Sequence, residues 1–286
     1  MGMDRLTHKD LVAIVTGGNR GLGRAMAEAL VAAGAKVLIT GRDKVELEAT
    51  AARSDGRIAA IVVDVTAEDA PRKIVAATLE AFGGVDILVN NAGVTLELLR
   101  RLQGGQPPSL MNLTSDEFRY LFEVNATAPF MLSREVIAPM RARGGGRIVN
   151  ITTSLDTMWR KGMIPYGGSK AANEANSVAL AQELREDHIT VNVLTPGGPA
   201  ATQMISPAFD HSSLIPASVM VAPLLWLTGP DTADITATRV VAALWNTDLP
   251  CHEAARLASA PAAWQSLGSQ GRYPEGFEAV ERAQGR

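Results

Sequence analysis

Thr16-Gly17-Gly18-Asn19-Arg20-Gly21-Leu22-Gly23 follows the apolar run Leu11 to Val15 and opens the alanine-rich segment Ala25 to Ala33. The β-branched residues Val12, Ile14 and Val15 suit a buried strand, and the glycines suit a tight turn into a helix. Glycine admits positive φ and lets a phosphate approach backbone N–H groups, while the helix behind presents the positive end of its dipole. The implied ligand is a nucleotide pyrophosphate. The spacing Gly-x-x-x-Gly-x-Gly differs from the common G-x-G-x-x-G pattern, because position 26 is Met, and it lacks the Lys-Ser/Thr of a P-loop. A glycine-rich turn kept only for packing is the competing reading, so the rest of the chain has to decide.

Working outward, Lys36 to Thr40 is a second apolar run, so strand, helix and strand follow within about thirty residues, as a right-handed parallel crossover requires. The second strand ends at Thr40-Gly41-Arg42, where dinucleotide-binding folds select the adenosine ribose. An acid there favours a free 2′-hydroxyl. Gly41 and Arg42, with Arg20 in the glycine turn, instead suit a 2′-phosphate, which favours planar charged donors. A third strand, Arg57 to Val63, leads to Asp64, a candidate acceptor for the adenine amino group or a plain turn residue. Thr66 to Asp69 reads as the cap of a helix reaching Phe82, and a fourth strand, Asp86 to Val89, precedes Asn90-Asn91-Ala92-Gly93. This β/α alternation has no repeat or low-complexity linker. It predicts an α/β fold: a single doubly wound, Rossmann-like domain whose parallel sheet is flanked by helices.

The length of 286 residues suits that domain, in which roughly three quarters of the unfolded surface is buried. Net charge is −3 with no Lys/Arg clusters, which argues against nucleic acid and for a small-molecule partner. One cysteine, Cys251, carries no signature of an oxidising compartment. No apolar run has the length of a membrane span and the first ten residues are too polar for a signal peptide, so a cytoplasmic location is expected. No metal-ligand spacing stands out.

Thr95 to Leu113 is a long connection carrying Gly104-Gly105 and Pro107-Pro108, with a helical turn expected over Leu96 to Leu102. Thr114-Ser115-Asp116-Glu117 is a capping box, and its helix is expected to run through Asn125 towards Met140. Asn125 sits among apolar residues, where a buried amide needs partners. A fifth strand, Gly146 to Ile151, ends in Thr152-Thr153-Ser154. Tyr166-Gly167-Gly168-Ser169-Lys170 then heads a helix, and residues four apart share one face, so the Lys170 ammonium is expected beside the Tyr166 hydroxyl. A cation there favours phenolate and lowers the phenol pKa from its usual value near 10, making it a proton donor and acceptor.

With these motifs in order, the chain from about Leu11 to Thr202 resembles the short-chain dehydrogenase/reductase family of the classical type. The resemblance rests on Thr16-Gly17-x-x-x-Gly21-x-Gly23, Asp64, Asn90-Asn91-Ala92-Gly93, Asn125, the hydroxyls ending the fifth strand, Tyr166-x-x-x-Lys170, and Pro196-Gly197 after a sixth strand, Ile189 to Leu194. It implies NADP(H) bound along Thr16, Gly17, Asn19, Arg20, Gly21, Leu22, Gly23, Arg42, Asp64, Val65, Asn91, Ala92, Gly93, Tyr166, Lys170, Pro196, Gly197 and Thr202. It further implies Tyr166 as acid/base and Lys170 on the nicotinamide ribose, lowering the Tyr166 pKa. Asn125 would support a water relay to Lys170, and a hydroxyl would steady the substrate oxygen.

Three departures from the family pattern stand out. Thr153 occupies the usual serine position with Ser154 beside it, and spacing favours Thr153. Thr202 comes one place late after Pro196-Gly197. Thr236 to Trp245 reads as the final strand without its usual glycine, followed by a tail from Pro250 to Arg286. The expected division is therefore 1–249 for the cofactor-binding and catalytic domain, with a substrate loop over 198–228, and 250–286 for a C-terminal extension. Met204 to Trp226, with Ile205, Phe209, Leu214, Ile215, Val219 and Met220, reads either as an apolar cover over a hydrophobic substrate or as ordinary packing.

The implied activity is hydride transfer between NADP(H) and a carbonyl or secondary alcohol, by a homo-oligomer, dimer or tetramer. An NADP(H)-sensing binding protein without turnover is the alternative, although a sensor needs neither Tyr166 nor Lys170. A serine hydrolase fits poorly. Gly167-Gly168-Ser169-Lys170-Ala171 lacks the last glycine of a nucleophile elbow, and His8, His188, His211 and His252 read as surface residues.

Overall fold

A computed structural model describes residues 8–208 and 210–268. The first half runs β1 (Val12–Thr16), α1 (Gly21–Ala32), β2 (Lys36–Gly41), α2 (Lys44–Ala51), β3 (Ile58–Val62), α3 (Ala70–Phe82), β4 (Ile87–Asn90), α4 (Leu96–Gln103), α5 (Ser115–Phe122) and α6 (Ala128–Ala142). The second runs β5 (Gly146–Ile151), α7 (Leu155–Trp159), α8 (Tyr166–Glu183), β6 (Ile189–Thr195), α9 (Val221–Leu227), β7 (Thr238–Val241), α10 (Cys251–Ala258) and β8 (Ser259–Pro261). The strands form one sheet in the order β3-β2-β1-β4-β5-β6-β7-β8, parallel except for β8. Strand order reverses at β1 and β4, which opens a crevice at their carboxyl ends.

Side chains alternate across each strand, and two apolar layers result. Ala13, Val15, Ile87 and Val89 face α1 and α9 through Met26, Leu30 and Leu224, whereas Ile14, Leu88 and Ile148 face α3, α6 and α8 through Ile74, Val136 and Leu180. Burial on both faces explains why the strands read as continuous apolar runs. A polar chain crosses this core: Asn90 Nδ2 donates to Asn150 Oδ1 (2.8 Å), and Asn150 Nδ2 donates to the Ser177 hydroxyl (2.8 Å). Neighbouring strands are thereby tied to α8 in register.

Several expectations need correction. The expected cap at Thr66 to Asp69 is not made: Asp69 offers no side-chain cap, and Asp64 Oδ1 instead accepts from the Thr66 amide (3.0 Å) and hydroxyl (2.8 Å). The capping box at Thr114 and Glu117 forms, but its helix is interrupted by a π turn over Glu123–Thr127 that carries Asn125. The strand at Thr238–Val241 is not the last, because β8 pairs antiparallel with it. His8 is buried with Nε2 2.8 Å from the Thr228 hydroxyl, so it is no surface residue. Within the apolar stretch Met204 to Trp226, Met220 and Leu224 are core residues against α1, while Phe209 lies outside the described residues, as do residues 269–286. No helix among the described residues is long and apolar enough to cross a membrane.

Candidate active site

The glycine turn is built from close approaches. Gly17 and Gly21 have φ of +64° and +53°. A Cβ on Gly23 would lie 2.2 Å from the Gly17 carbonyl oxygen, so no side chain fits there. The Thr16 hydroxyl accepts from the amides of Asn91 (2.9 Å) and Ala92 (3.0 Å), and Asn91 Nδ2 donates to the Thr16 carbonyl (2.8 Å). These bonds lock the ends of β1 and β4 side by side. Arg20 is the N-cap of α1 without a side-chain cap, and the first turn holds no acid. The leading N–H groups of α1 are therefore left for an anion, as a cofactor pyrophosphate requires. Thr202 reaches this turn, its Cγ2 3.2 Å from where a Cβ of Gly21 would stand.

At the end of β2, Arg42 Nη1 donates to the Tyr120 hydroxyl (3.1 Å) and lies 3.7 Å from Asp64 Oδ2. The structure thus joins two of the predicted cofactor residues, Arg42 and Asp64, directly. Tyr120, on α5, is a neighbour that the sequence alone did not single out.

Asn125 is fully buried. Its Nδ2 donates to the Val94 carbonyl (2.9 Å) and the Ser169 hydroxyl (3.1 Å), and its Oδ1 accepts from the Val94 amide (3.0 Å). It thereby clamps the loop after β4 to the first turn of α8. Ser169 is buried and donates to the Tyr166 carbonyl (2.7 Å), which disposes of it as a nucleophile. A Cβ on Gly93 would stand 3.1 Å from Asn125 Oδ1 and 3.2 Å from Lys170 Nζ, so any side chain there would press on both groups.

Lys170 Nζ donates to the Ile151 carbonyl (2.9 Å), and burial pushes the ammonium down to about 8. Tyr166 as a residue is only part-buried, yet the burial of its phenol pushes its pKa up to about 12, against the lowering effect of a hydrogen bond with the Thr153 side chain. The expected depression of the Tyr166 pKa by Lys170 is therefore not what this structure has. The ammonium is engaged with Ile151, and desolvation of the phenolate outweighs the other influences.

The two adjacent hydroxyls divide. Ser154 caps α7, its Oγ 2.8 Å from the Thr157 hydroxyl and accepting from the Thr157 amide (3.4 Å), while the Thr153 side chain is the one that exerts a lowering influence on the Tyr166 phenol. Behind them lies a group that the sequence reading missed. Buried Glu174 accepts from Arg239 and from the Thr152 hydroxyl (3.3 Å), and Arg239 also donates to the Thr153 carbonyl. The signal was spacing, since Glu174 stands four residues after Lys170 and eight after Tyr166, on the same helix face. Over the cleft, Ala200 bridges to Ile215 and Arg101 donates to the Gln203 carbonyl, closing the 198–228 loop against α4. Among the described residues, no cluster of His, Cys, Asp or Glu has the makings of a metal site.

A crevice at the strand-order reversal and a glycine turn shaped for phosphate, with Thr153 and Lys170 at the end of β5 and Tyr166 on the adjoining helix, are features that a nicotinamide-dependent oxidoreductase requires. The family described as short chain dehydrogenase matches residues 11–212, and the chain belongs to it. Among its relatives, 3-oxoacyl-(acyl-carrier-protein) reductase of Vibrio cholerae is 34% identical over 186 residues, 65% of this chain and 72% of that protein. An uncharacterised oxidoreductase of Escherichia coli is 36% identical over 197 residues, 68% of this chain and 72% of that one. A crystal structure of a Sinorhizobium meliloti protein, provisionally assigned as a short-chain alcohol dehydrogenase, has a TM-score of 0.73 at 26% identity, covering 83% of this chain and 96% of that one.

Proposed function

We propose that the protein is an NADP(H)-dependent ketone reductase or alcohol dehydrogenase, with Tyr166 as its acid/base. The observation that carries this reading is the Lys170 ammonium held on the Ile151 carbonyl at the end of β5 (2.9 Å), one helical turn after Tyr166, while Ser154 is committed to a cap and Thr153 is not. The bound cofactor would supply or accept the hydride at the substrate carbon. In reduction, Tyr166 passes its phenolic proton to the substrate oxygen and Thr153 donates a hydrogen bond to that oxygen, stabilising charge as it develops. A phenol held up to about 12 carries its proton throughout the neutral range, which suits this direction. Lys170, Asn125 and Gly93 frame the ribose end of the cleft.

Preference for the phosphorylated cofactor is supported by Arg42 at the end of β2 and Arg20 at the head of α1. The relative from V. cholerae is named for the reduction of a 3-oxoacyl group, which fits a carbonyl substrate. The 198–228 loop is read as the substrate cover, residues 1–249 as the cofactor-binding and catalytic part, and a homo-oligomer is supported by exposed Phe118, Phe130 and Met131. A panel of ketones with NADPH and of secondary alcohols with NADP, followed at the nicotinamide absorbance, tests the reading. Turnover that depends on Tyr166 is expected. Tight cofactor binding with no turnover across the panel would replace it with the sensor.

A further inference from the structure

Thr153 lies beyond the end of β5, and the last amide there with a partner on a neighbouring strand is that of Thr152, which donates to the Leu194 carbonyl (3.1 Å). The sheet ladder alone therefore does not set the Thr153 carbonyl. Arg239, on β7, does so from the next strand but one: its guanidinium donates to the Thr153 carbonyl with one arm and to Glu174 with another. Both side chains are buried, Arg239 to 6% exposure and Glu174 to 1%. Glu174 is further held by the Thr152 hydroxyl and by the Ala263 amide (3.1 Å), from the turn that follows β8. Burial lowers the pKa of Arg239 and the Glu174 carboxylate opposes that shift.

Such a pair contributes little net stability, because the desolvation of two ions largely offsets their attraction, and apolar residues of similar volume commonly serve as well. What the pair adds is geometry. A guanidinium is a rigid planar fork, able to hold a carboxylate and a carbonyl at a fixed angle. Glu174 sits on the helix that carries Tyr166 and Lys170, so the fork sets the strand end carrying Thr153 against the helix carrying the phenol.

We propose that Glu174 and Arg239 are positioning residues for Thr153, fixing its hydroxyl against Tyr166, with the Ala263 turn completing the clamp. This inference rests on the role given to Thr153 above. Its test is the double variant Glu174→Met/Arg239→Met, which removes both charges together and leaves no buried ion unpaired. Folding and cofactor KM are expected to stay close to the parent's, while kcat falls roughly tenfold to a hundredfold, as loss of fine alignment does. In a Thr153→Val background the same two substitutions should cost nothing further, since the group being positioned is gone. Arg239→Lys, which keeps the charge but loses the fork, should give an intermediate kcat. Equal losses with and without the Thr153 hydroxyl, or no loss in the parent, would overturn the proposal.

Hydrogen exchange tests the same clamp without turnover or the double variant. In Arg239→Lys, amides over residues 152–157 should exchange faster while those of β1 and β4 do not change; unchanged exchange over 152–157 would also overturn it. If the parent turns over no substrate, the functional reading fails, and the exchange result still decides whether Arg239 holds the strand end.

Discussion

Thr153→Val replaces a hydroxyl by a methyl of the same shape at a position only 8% exposed, so packing is retained and only the hydroxyl is lost. Two magnitudes bracket the effect. An ordinary hydrogen bond is worth about 1 kcal/mol net, which sets a floor near fivefold in rate. A donor aimed at developing oxyanion charge is worth about 2.7–4 kcal/mol, which sets a ceiling near a thousandfold. The Thr153 side chain also lowers the Tyr166 pKa, so the variant should hold the phenol proton more tightly and the rise of alcohol oxidation with pH should move to higher pH. The control is Ser154→Ala. It removes the cap of a five-residue helix and costs about 1 kcal/mol of stability, with turnover little changed. Steady-state kcat and KM in both directions, with thermal melts of both variants, make the measurement. A silent Thr153→Val beside a crippled Ser154→Ala would transfer the role to Ser154 and refute the reasoning.

Tyr166→Phe keeps the ring and should bind cofactor normally by fluorescence titration while losing most turnover; near-parental turnover would remove the acid/base assignment. Arg42→Ala should weaken NADPH relative to NADH by roughly tenfold, no more, because Arg42 is half exposed and already shared with Asp64 and Tyr120; equal weakening of both cofactors would count against the 2′-phosphate reading. Glu117 is pushed down to about 2 from 4.5, chiefly by its hydrogen bonds to Arg100 (2.6 and 2.8 Å). A folded pKa below the unfolded one contributes stability that is complete above 4.5 and lost as pH falls towards 2, so Glu117→Gln should melt lower at neutral pH and flatten that acid slope. A Glu117→Gln protein with the parent's full acid sensitivity would assign the slope to other carboxylates.

The sheet was legible because its strands are buried on both faces and each is followed by a turn whose residues have one physical reading. The glycines at 17, 21 and 23 announced the phosphate turn through steric demands that only glycine meets. Tyr166 and Lys170 were legible from helix periodicity, and Thr153 from its place beyond an apolar run. What escaped was whatever depends on partners remote in sequence. Asp64 and Asp69 have equal capping propensity on paper, and only tertiary placement made the first a turn residue facing Arg42. Arg239 in a strand reads as an edge charge until Glu174, 65 residues earlier, is known to lie opposite it. The Tyr166 pKa departs from its sequence expectation for a related reason: helix spacing brings a lysine near but does not say that its proton goes to Ile151.

The antiparallel strand β8 has a consequence for how the molecule meets its own copies. Among the described residues it forms the outer border of the sheet beyond β7, only three residues long, and Pro261 at its end has no N–H to give. A border of that kind offers a passing strand almost no backbone template, whereas four-residue β7 left bare would offer a hydrophobic one. Growth of the sheet from molecule to molecule is therefore expected to be disfavoured along this strand. Pro261→Val, which restores a donor and a β-branched side chain, should scatter more light on heating than the parent. Equal scattering would mean that the border is guarded by something other than its proline.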